Sequence, residues 1–251
     1  MRYTFRAGLA AVAMLAAAAP RPGHAQEPVD LLLVLAADVS RSMDNGKFQM
    51  QRQGYVDALT DPRVLEAVRS GVNRRIAATF IEWAGVAAQK VVVDWSIISD
   101  ETTARQFVDE LAEAPRSFTG RTSISAALDF SAAQLERAPY EAQRRTIDVS
   151  GDGVNNSGRM ITQARDDAVN KGATINGLVI ASQSTDPGNP ERVDPRQELT
   201  TYYRDNVIGG PGAFVMVAES YHSFGHALIN KLVAEIAQVS GRRHAALGRR
   251  R

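Results

Sequence analysis

The sequence predicts an α/β domain with a doubly wound, mainly parallel sheet of six strands and helices on both faces. Apolar and β-branched runs alternate with helix-period segments along most of the 251 residues, which is typical of βα units on a parallel sheet. With 44% hydrophobic residues, the chain can bury one sizeable core. It contains no cysteine, so this core has to hold the domain together without disulfides.

Six apolar runs are predicted to be strands. Two of them are separated only by the link GVAAQ, which is too short for a crossover helix. These two should form a hairpin, which makes one strand at the sheet edge antiparallel. The six predicted strands are residues 30–37, 75–84, 90–97, 145–150, 174–181 and 214–218.

The segments between the strands have the pattern of amphipathic helices. The last of them places Ala227, Leu228, Leu232, Ile236 and Val239 near a period of 3.6, so it should lie with one face on the sheet. The polar residues 182–197 include three prolines and are predicted to be an exposed loop. The predicted helices are residues 46–59 with a continuation to 69, 102–113, 123–137, 159–171 and 221–239.

The N-terminal 25 residues have the pattern of a cleaved signal peptide. Arg2 and Arg6 precede a 13-residue apolar run, and small residues follow at Gly23 and Ala25. The run is well short of the roughly 20 residues that span a bilayer. We therefore expect residues 26–240 to form one domain in the periplasm or outside the cell, and residues 241–251 to be a basic, disordered tail.

The charge of the expected domain argues against nucleic acid as a partner. Residues 26–240 contain 21 basic and 28 acidic side chains, a net charge of about −7. No second run is long and apolar enough to span a membrane. Nothing in the sequence specifies an oligomeric state.

Oxygen-bearing side chains occur in three places: directly after two of the predicted strands, and in a loop that leads into a predicted helix. Asp38, Ser40 and Ser42 come directly after the first strand, Thr122 lies in the segment SFTGRTSIS, and Asp152 follows a strand in TIDVSGDGVNNSG. Because ligands of open α/β sheets bind at the carboxyl ends of the strands, these side chains could meet there.

Together the five residues resemble the metal-ion-dependent adhesion site (MIDAS) of the von Willebrand factor A (VWA) family. That pattern is Asp-x-Ser-x-Ser after the first strand, a Thr in a later loop, and an Asp, often followed by Gly, after a central strand. The resemblance covers residues 29–239, and DVSRSMD and VSGDGVNN are similar to bacterial exported VWA-like proteins. Thr122 is preferred over Thr119 and Ser123 because the family's Thr follows a Gly-rich turn. Asp152 is preferred over Asp148, which lies inside a predicted strand.

The donor set favours a hard divalent cation. Hydroxyl and carboxylate oxygens suit Mg²⁺ first, with Mn²⁺ or Ca²⁺ as alternatives, and no His or Cys competes for a softer metal. If the three hydroxyls bind directly and Asp38 and Asp152 act mainly through waters, the ion keeps most of its positive charge. The resemblance implies that a Glu or Asp of a protein partner completes the shell. We therefore predict metal-dependent protein binding and no enzymatic activity.

Two other functions could use the same cluster. A metal-dependent hydrolase with Asp38 or Asp152 as base would need a further carboxylate or His at the site, and the sequence indicates none. A scaffold in which the ion only holds loops together is the other alternative. Each residue also has a purely structural explanation, because Ser, Asp and Gly after strands commonly cap helices and form turns.

Other motifs are incomplete. DVSGDG resembles the opening of a calcium loop, but Arg159 stands at the twelfth position and a strand precedes the motif. A nucleophile elbow would need Gly where Asp148 stands, and a dehalogenase-type phosphatase would need Asp at Ser40. His222 and His226 are four residues apart, but the residue after His222 is serine, where a zinc protease has Glu.

Overall fold

The structure is a computed structural model that describes residues 26–181 and 194–237. Eight strands run through these residues: β1 (Glu27–Pro28), β2 (Leu32–Asp38), β3 (Ile76–Trp83), β4 (Gln89–Ile98), β5 (Tyr140–Glu141), β6 (Arg145–Gly151), β7 (Thr174–Ile180) and β8 (Val215–Ala218). Six of them form the central sheet, in the order β4-β3-β2-β6-β7-β8. The pair β3 and β4 is antiparallel, and every other neighbouring pair is parallel. The two-residue strands β1 and β5 pair separately.

Seven α-helices accompany the sheet: α1 (Asn45–Thr60), α2 (Pro62–Arg69), α3 (Glu101–Glu113), α4 (Ile124–Arg137), α5 (Ile161–Asn170), α6 (Pro195–Tyr202) and α7 (Phe224–Ala237). A π-helix, Tyr203–Val207, continues α6. Several helices begin where a side chain accepts a backbone N–H of the first turn, as Asp44 does for α1, Asp100 for α3 and Ser123 for α4. These caps satisfy donors that a helix start otherwise leaves free.

Strand β2 is buried on both faces. Leu33 and Leu35 pack into one apolar layer with residues of α1, α2, α3 and α7. Leu32 and Val34 point the other way, into a layer formed with α4, α5 and the π-helix. Because side chains alternate along a strand, a central strand covered by helices on both sides reads as a continuous apolar run.

The predicted fold class is confirmed, including the six strands and the antiparallel hairpin at the edge. The continuation from α1 to residue 69 is in fact a second helix, because Pro62 cannot extend α1 and Asp61 adopts an extended conformation before it. The predicted loop at residues 182–197 extends too far at its C-terminal end, because α6 begins at Pro195. Proline is well suited to a first helical turn, where its missing N–H costs nothing.

Several predictions fall outside the described residues: the signal peptide at 1–25, most of the loop at 182–197 and the tail at 241–251. Within the described residues, no helix has the length and apolar character that a membrane crossing requires.

A buried group of charges joins α7 to the sheet. The Nζ of Lys231 lies 2.6 Å from Asp148 of β6 and 2.5 Å from Glu235, and all three side chains are buried. Asn176 of β7 donates to Glu235 over 2.7 Å. Burial, followed by the charge of Asp148, raises the pKa of Glu235 to about 7. Asp148 therefore forms an ion pair inside the core, and it lies within a strand as predicted.

Candidate metal centre

The structure brings the five predicted site residues to one edge of the sheet. Asp38 is the last residue of β2, and Ser40 and Ser42 lie in the loop that leads to α1. Asp152 directly follows β6, which is the neighbour of β2 in the sheet. Thr122 lies just before the N-cap of α4. Parallel neighbouring strands end at the same edge, so residues 114 positions apart in sequence meet there.

Hydrogen bonds link four of the five side chains one after another. Thr122 Oγ1 donates to Ser40 Oγ over 3.2 Å, and the hydroxyls of Ser40 and Ser42 are 3.3 Å apart. Ser42 Oγ donates to Asp152 Oδ1 over 2.6 Å. Asp38 joins through its Oδ1, which accepts the backbone N–H of Ser40 over 2.7 Å. Oxygens from three separate segments thus form a single cluster.

Among the hydroxyls of its segment, that of Thr122 is in contact with the cluster. Thr119 is exposed, and Ser123 caps α4 by accepting the N–H of Ala126 over 3.4 Å. Only Thr122 among these three donates a hydrogen bond to Ser40.

Asp38 carries the strongest electrostatic signal of the cluster. Its side chain is fully buried, and its Oδ2 has no hydrogen-bond partner among the residues that the structure describes. Burial, and then the nearby Asp152 carboxylate, raise the pKa of Asp38 to about 7. A buried carboxylate is costly without a compensating charge. A cation at the cluster would supply that charge, so the residues present fit a divalent ion.

Two tyrosines next to the cluster were not predicted from the sequence. Tyr221 donates to Asp152 Oδ2 over 3.1 Å, and burial together with Asp152 raises the pKa of Tyr221. Tyr203, on the π-helix, is fully buried behind the site. A Cβ on Gly151 would lie 2.6 Å from the Tyr203 hydroxyl and 3.2 Å from Asp38 Oδ2, so glycine is required there. π-helical turns often occur at functional sites.

Arg116 connects the loop after β2 with the segment that carries Thr122. Its NH2 group donates to the carbonyl oxygens of Val39 over 2.8 Å and Ser40 over 3.0 Å, and its Nε donates to Phe118 over 2.9 Å. The loop after β2 is thereby held against the segment that carries Thr122. The sequence offered no signal for this role, because two of the three partners of Arg116 are backbone carbonyls 77 and 76 residues away.

The two asparagines of the VNN segment position the loop around Thr122. Asn156 donates its backbone N–H to the Thr122 carbonyl over 2.9 Å, and its Oδ1 accepts the Thr122 N–H over 3.0 Å. Asn155 Oδ1 accepts the N–H of Ser125 over 3.0 Å. These contacts explain two polar residues that the sequence marked only through the resemblance.

Replacing Asn156 with Ala is expected to weaken metal affinity about tenfold, because partners that orient ligands usually contribute that much. The variant loses the bond that holds the Thr122 backbone but leaves every candidate ligand in place. Isothermal titration with Mg²⁺ measures the change. Asn156→Asp keeps the oxygen that accepts the Thr122 N–H and should bind Mg²⁺ at least as tightly as the original chain. An unchanged Mg²⁺ affinity in Asn156→Ala would contradict the role of Asn156 in positioning Thr122.

Other metal-binding arrangements are not found in the described part of the chain. No group of three or more His, Cys, Asp or Glu side chains there could hold an ion, and the cluster itself contains only two carboxylates. His222 and His226 are exposed.

The fold is that of VWA domains in solved structures. The pilus adhesin SpaC of Lactobacillus rhamnosus GG superimposes with a TM-score of 0.59 at 14% identity, covering 85% of this chain and 31% of the adhesin. Proximal thread matrix protein 1 of the mussel byssus, with a zinc-occupied MIDAS motif, gives 0.56 at 16% identity over 84% of this chain and 49% of its own. A VWA protein of Catenulispora acidiphila gives 0.51 at 13% identity, covering 85% and 43%.

The chain thus spans less than half the length of these structures, and identities this low establish the fold alone. No curated protein matches the sequence. The sequence profile described as "Protein of unknown function (DUF1194)" matches residues 28–240. With a VWA fold and a match over nearly the whole described region, the chain belongs to the DUF1194 family.

Proposed function

We propose that this chain binds a divalent cation, Mg²⁺ in the first place, through Asp38, Ser40, Ser42, Thr122 and Asp152. Through the ion it would bind an acidic residue of a protein partner. One observation carries the proposal: oxygens from three distant segments form one hydrogen-bonded cluster beside a buried carboxylate oxygen that lacks a partner among the described residues.

The chemistry of the donor set explains why a partner is needed. Hydroxyls of Ser40, Ser42 and Thr122 would supply neutral ligands, and the two carboxylates would hold waters and orient the hydroxyls. An ion with few anionic ligands of its own attracts an anionic oxygen from outside. The zinc-occupied MIDAS of the mussel matrix protein and the adhesin name of SpaC support this kind of function for the fold.

We propose a binding role in preference to hydrolysis. A general base must reach the reacting group with a free proton-accepting atom. Asp152 accepts bonds from both Ser42 and Tyr221, and Asp38 is fully buried. Neither carboxylate is therefore placed like a base that faces a substrate. The expected signal peptide and a location in the periplasm or outside the cell are part of the same proposal.

The first test is a thermal unfolding titration of the chain from residue 26 with Mg²⁺, Mn²⁺ and Ca²⁺ against EDTA. An ion at about 100 times its Kd stabilises a folded protein by about 2.7 kcal/mol, which corresponds to roughly 5–10 °C in Tm at this size. Absence of a shift with every ion at millimolar concentration would contradict the metal site.

The second test separates partner binding from a purely structural ion. Capture of proteins from a cell-envelope extract is compared in Mg²⁺ and in EDTA. A partner held through the ion should be released by EDTA. If Mg²⁺ stabilises the chain but EDTA releases no captured protein, the ion has a purely structural role and the chain would be a scaffold.

A further inference from the structure

Three cationic side chains surround the candidate metal centre, and we call them the cationic rim: Arg41, Lys47 and Arg121. Arg41 separates the two serines of the cluster, and Arg121 immediately precedes Thr122. The Nζ of Lys47 donates to the carbonyl oxygen of Ser42 over 2.9 Å. Arg41 and Arg121 are exposed and Lys47 is half-buried. All three therefore belong to or adjoin the segments that form the cluster, and none of them is buried.

The rim side chains make no direct contact with a carboxylate in the described part of the chain. Within residues 26–181 and 194–237, none of the three side chains forms an ion pair. Lys47 and Arg121 donate to carbonyl oxygens instead, those of Ser42 and Asn156. Elsewhere some arginines, such as Arg69 and Arg74, also form no ion pair among the described residues, while six others are paired with Asp or Glu: Arg63, Arg75, Arg105, Arg159, Arg165 and Arg196.

The local charge differs in sign from that of the whole domain. Near the site stand the carboxylates of Asp38, Asp152 and Asp44, which caps α1. Against these three carboxylates stand four cations, the three of the rim and Arg116, which contacts the Ser40 carbonyl. These side chains sum to about +1, and a bound divalent ion would add to that charge. Residues 26–240 as a whole carry about −7. A localised positive site on an acidic domain attracts anions to that place only.

Resting on the proposed function, we infer that the acidic residue reaching the metal belongs to a short run of acidic residues, whose neighbouring carboxylates bind the rim. An extended peptide advances about 3.3 Å per residue, so a few residues span the distance from the ion to flexible Arg and Lys side chains. Arginine suits this task, because its guanidinium can bind a carboxylate through two parallel hydrogen bonds. A long polyanion is disfavoured, because residues 26–240 as a whole carry a net charge of about −7.

The test compares two labelled peptides of equal length by fluorescence anisotropy in Mg²⁺. One contains a single Asp among Gly and Ser, and the other contains four consecutive acidic residues. The acidic-run peptide should bind at least about tenfold more tightly, and its affinity should fall more steeply with salt. The double variant Arg41→Ala, Arg121→Ala should bind the acidic-run peptide about tenfold more weakly. Its affinity for the single-Asp peptide should change by about twofold or less.

A matched control replaces two exposed arginines at the opposite edge of the sheet, Arg69→Ala with Arg74→Ala, and should leave both affinities unchanged. The rim variant must also keep the Mg²⁺-induced shift in Tm, which shows that the ion still binds. A wild-type chain without that shift would contradict the proposed function itself.

Other outcomes overturn the inference alone. Equal, Mg²⁺-dependent binding of both peptides would show that the rim does not select acidic runs. Binding of the acidic run that persists in EDTA would make the rim an anion surface independent of the ion. Short polyphosphate that binds more tightly than the acidic peptide would identify a phosphate ligand. Failure of both peptides to bind a chain that holds the ion would also overturn it.

Discussion

Replacing Lys231 with Met is expected to lower the free energy of unfolding by about 3–5 kcal/mol, the usual effect of breaking a buried ion pair. Methionine preserves the length of the side chain, but Asp148 and Glu235 would remain buried without their cation. At this chain length the loss corresponds to roughly 10 °C in Tm. Chemical denaturation and thermal unfolding both measure it.

The loss should depend on pH with a definite sign. The pKa of Glu235 is already raised to about 7 with Lys231 present, and removing the lysine raises it further. Protonation of Glu235 then relieves the variant, so the difference in stability from the original chain should be larger at pH 8 than at pH 5. A difference that is independent of pH would contradict the assignment of buried, ionised partners.

A neutralised triple variant serves as the control. Adding Asp148→Asn and Glu235→Gln to Lys231→Met removes all three charges at once. Replacing a whole buried ion group is often nearly neutral, so much of the lost stability should return. If it does not, packing around Lys231 accounts for the loss better than charge.

Replacing Ser40 and Ser42 together with Ala is expected to abolish the stabilisation by Mg²⁺. The double variant removes two of the three hydroxyls that would contact the ion and interrupts the hydrogen-bond chain from Thr122 to Asp152. The Tm of the variant should be the same in Mg²⁺ and EDTA, and chelation-sensitive capture of a partner should be lost. Differential scanning fluorimetry and the envelope capture assay measure the two effects.

The matched control is Ser131→Ala. Ser131 is fully buried on α4, and its hydroxyl has no hydrogen-bond partner in the described part of the chain. Its removal should leave the Mg²⁺ response unchanged. A Ser40→Ala, Ser42→Ala chain that is still stabilised by Mg²⁺ to the original extent would show that the ion binds elsewhere.

Local patterns in the sequence were sufficient to predict the fold class. The apolar run before Asp38 indicated a strand buried on both faces, and the GVAAQ link required a hairpin, because each depends on residues close in sequence. The polar residues after the strands indicated where side chains could meet, and the resemblance to the MIDAS pattern singled out the five. The same reasoning missed α6, since three prolines in residues 182–197 indicate a loop as readily as a helix start.

The groups that hold the site together depend on contacts between distant segments. Arg116 donates to backbone carbonyls of the loop after β2, Asn156 holds Thr122, and Tyr203 fills the space beside Gly151. Lys231 finds its counter-charge on β6, 83 positions away. No local periodicity encodes such pairs, because a hydrogen bond or ion pair is defined by the packing of helices on the sheet. The chain order of Asp38, Ser40, Ser42, Thr122 and Asp152, read with the family resemblance, therefore predicts a cluster. The charge of the cluster, the hydrogen bonds between its loops and its cationic rim arise only when the sheet and helices assemble.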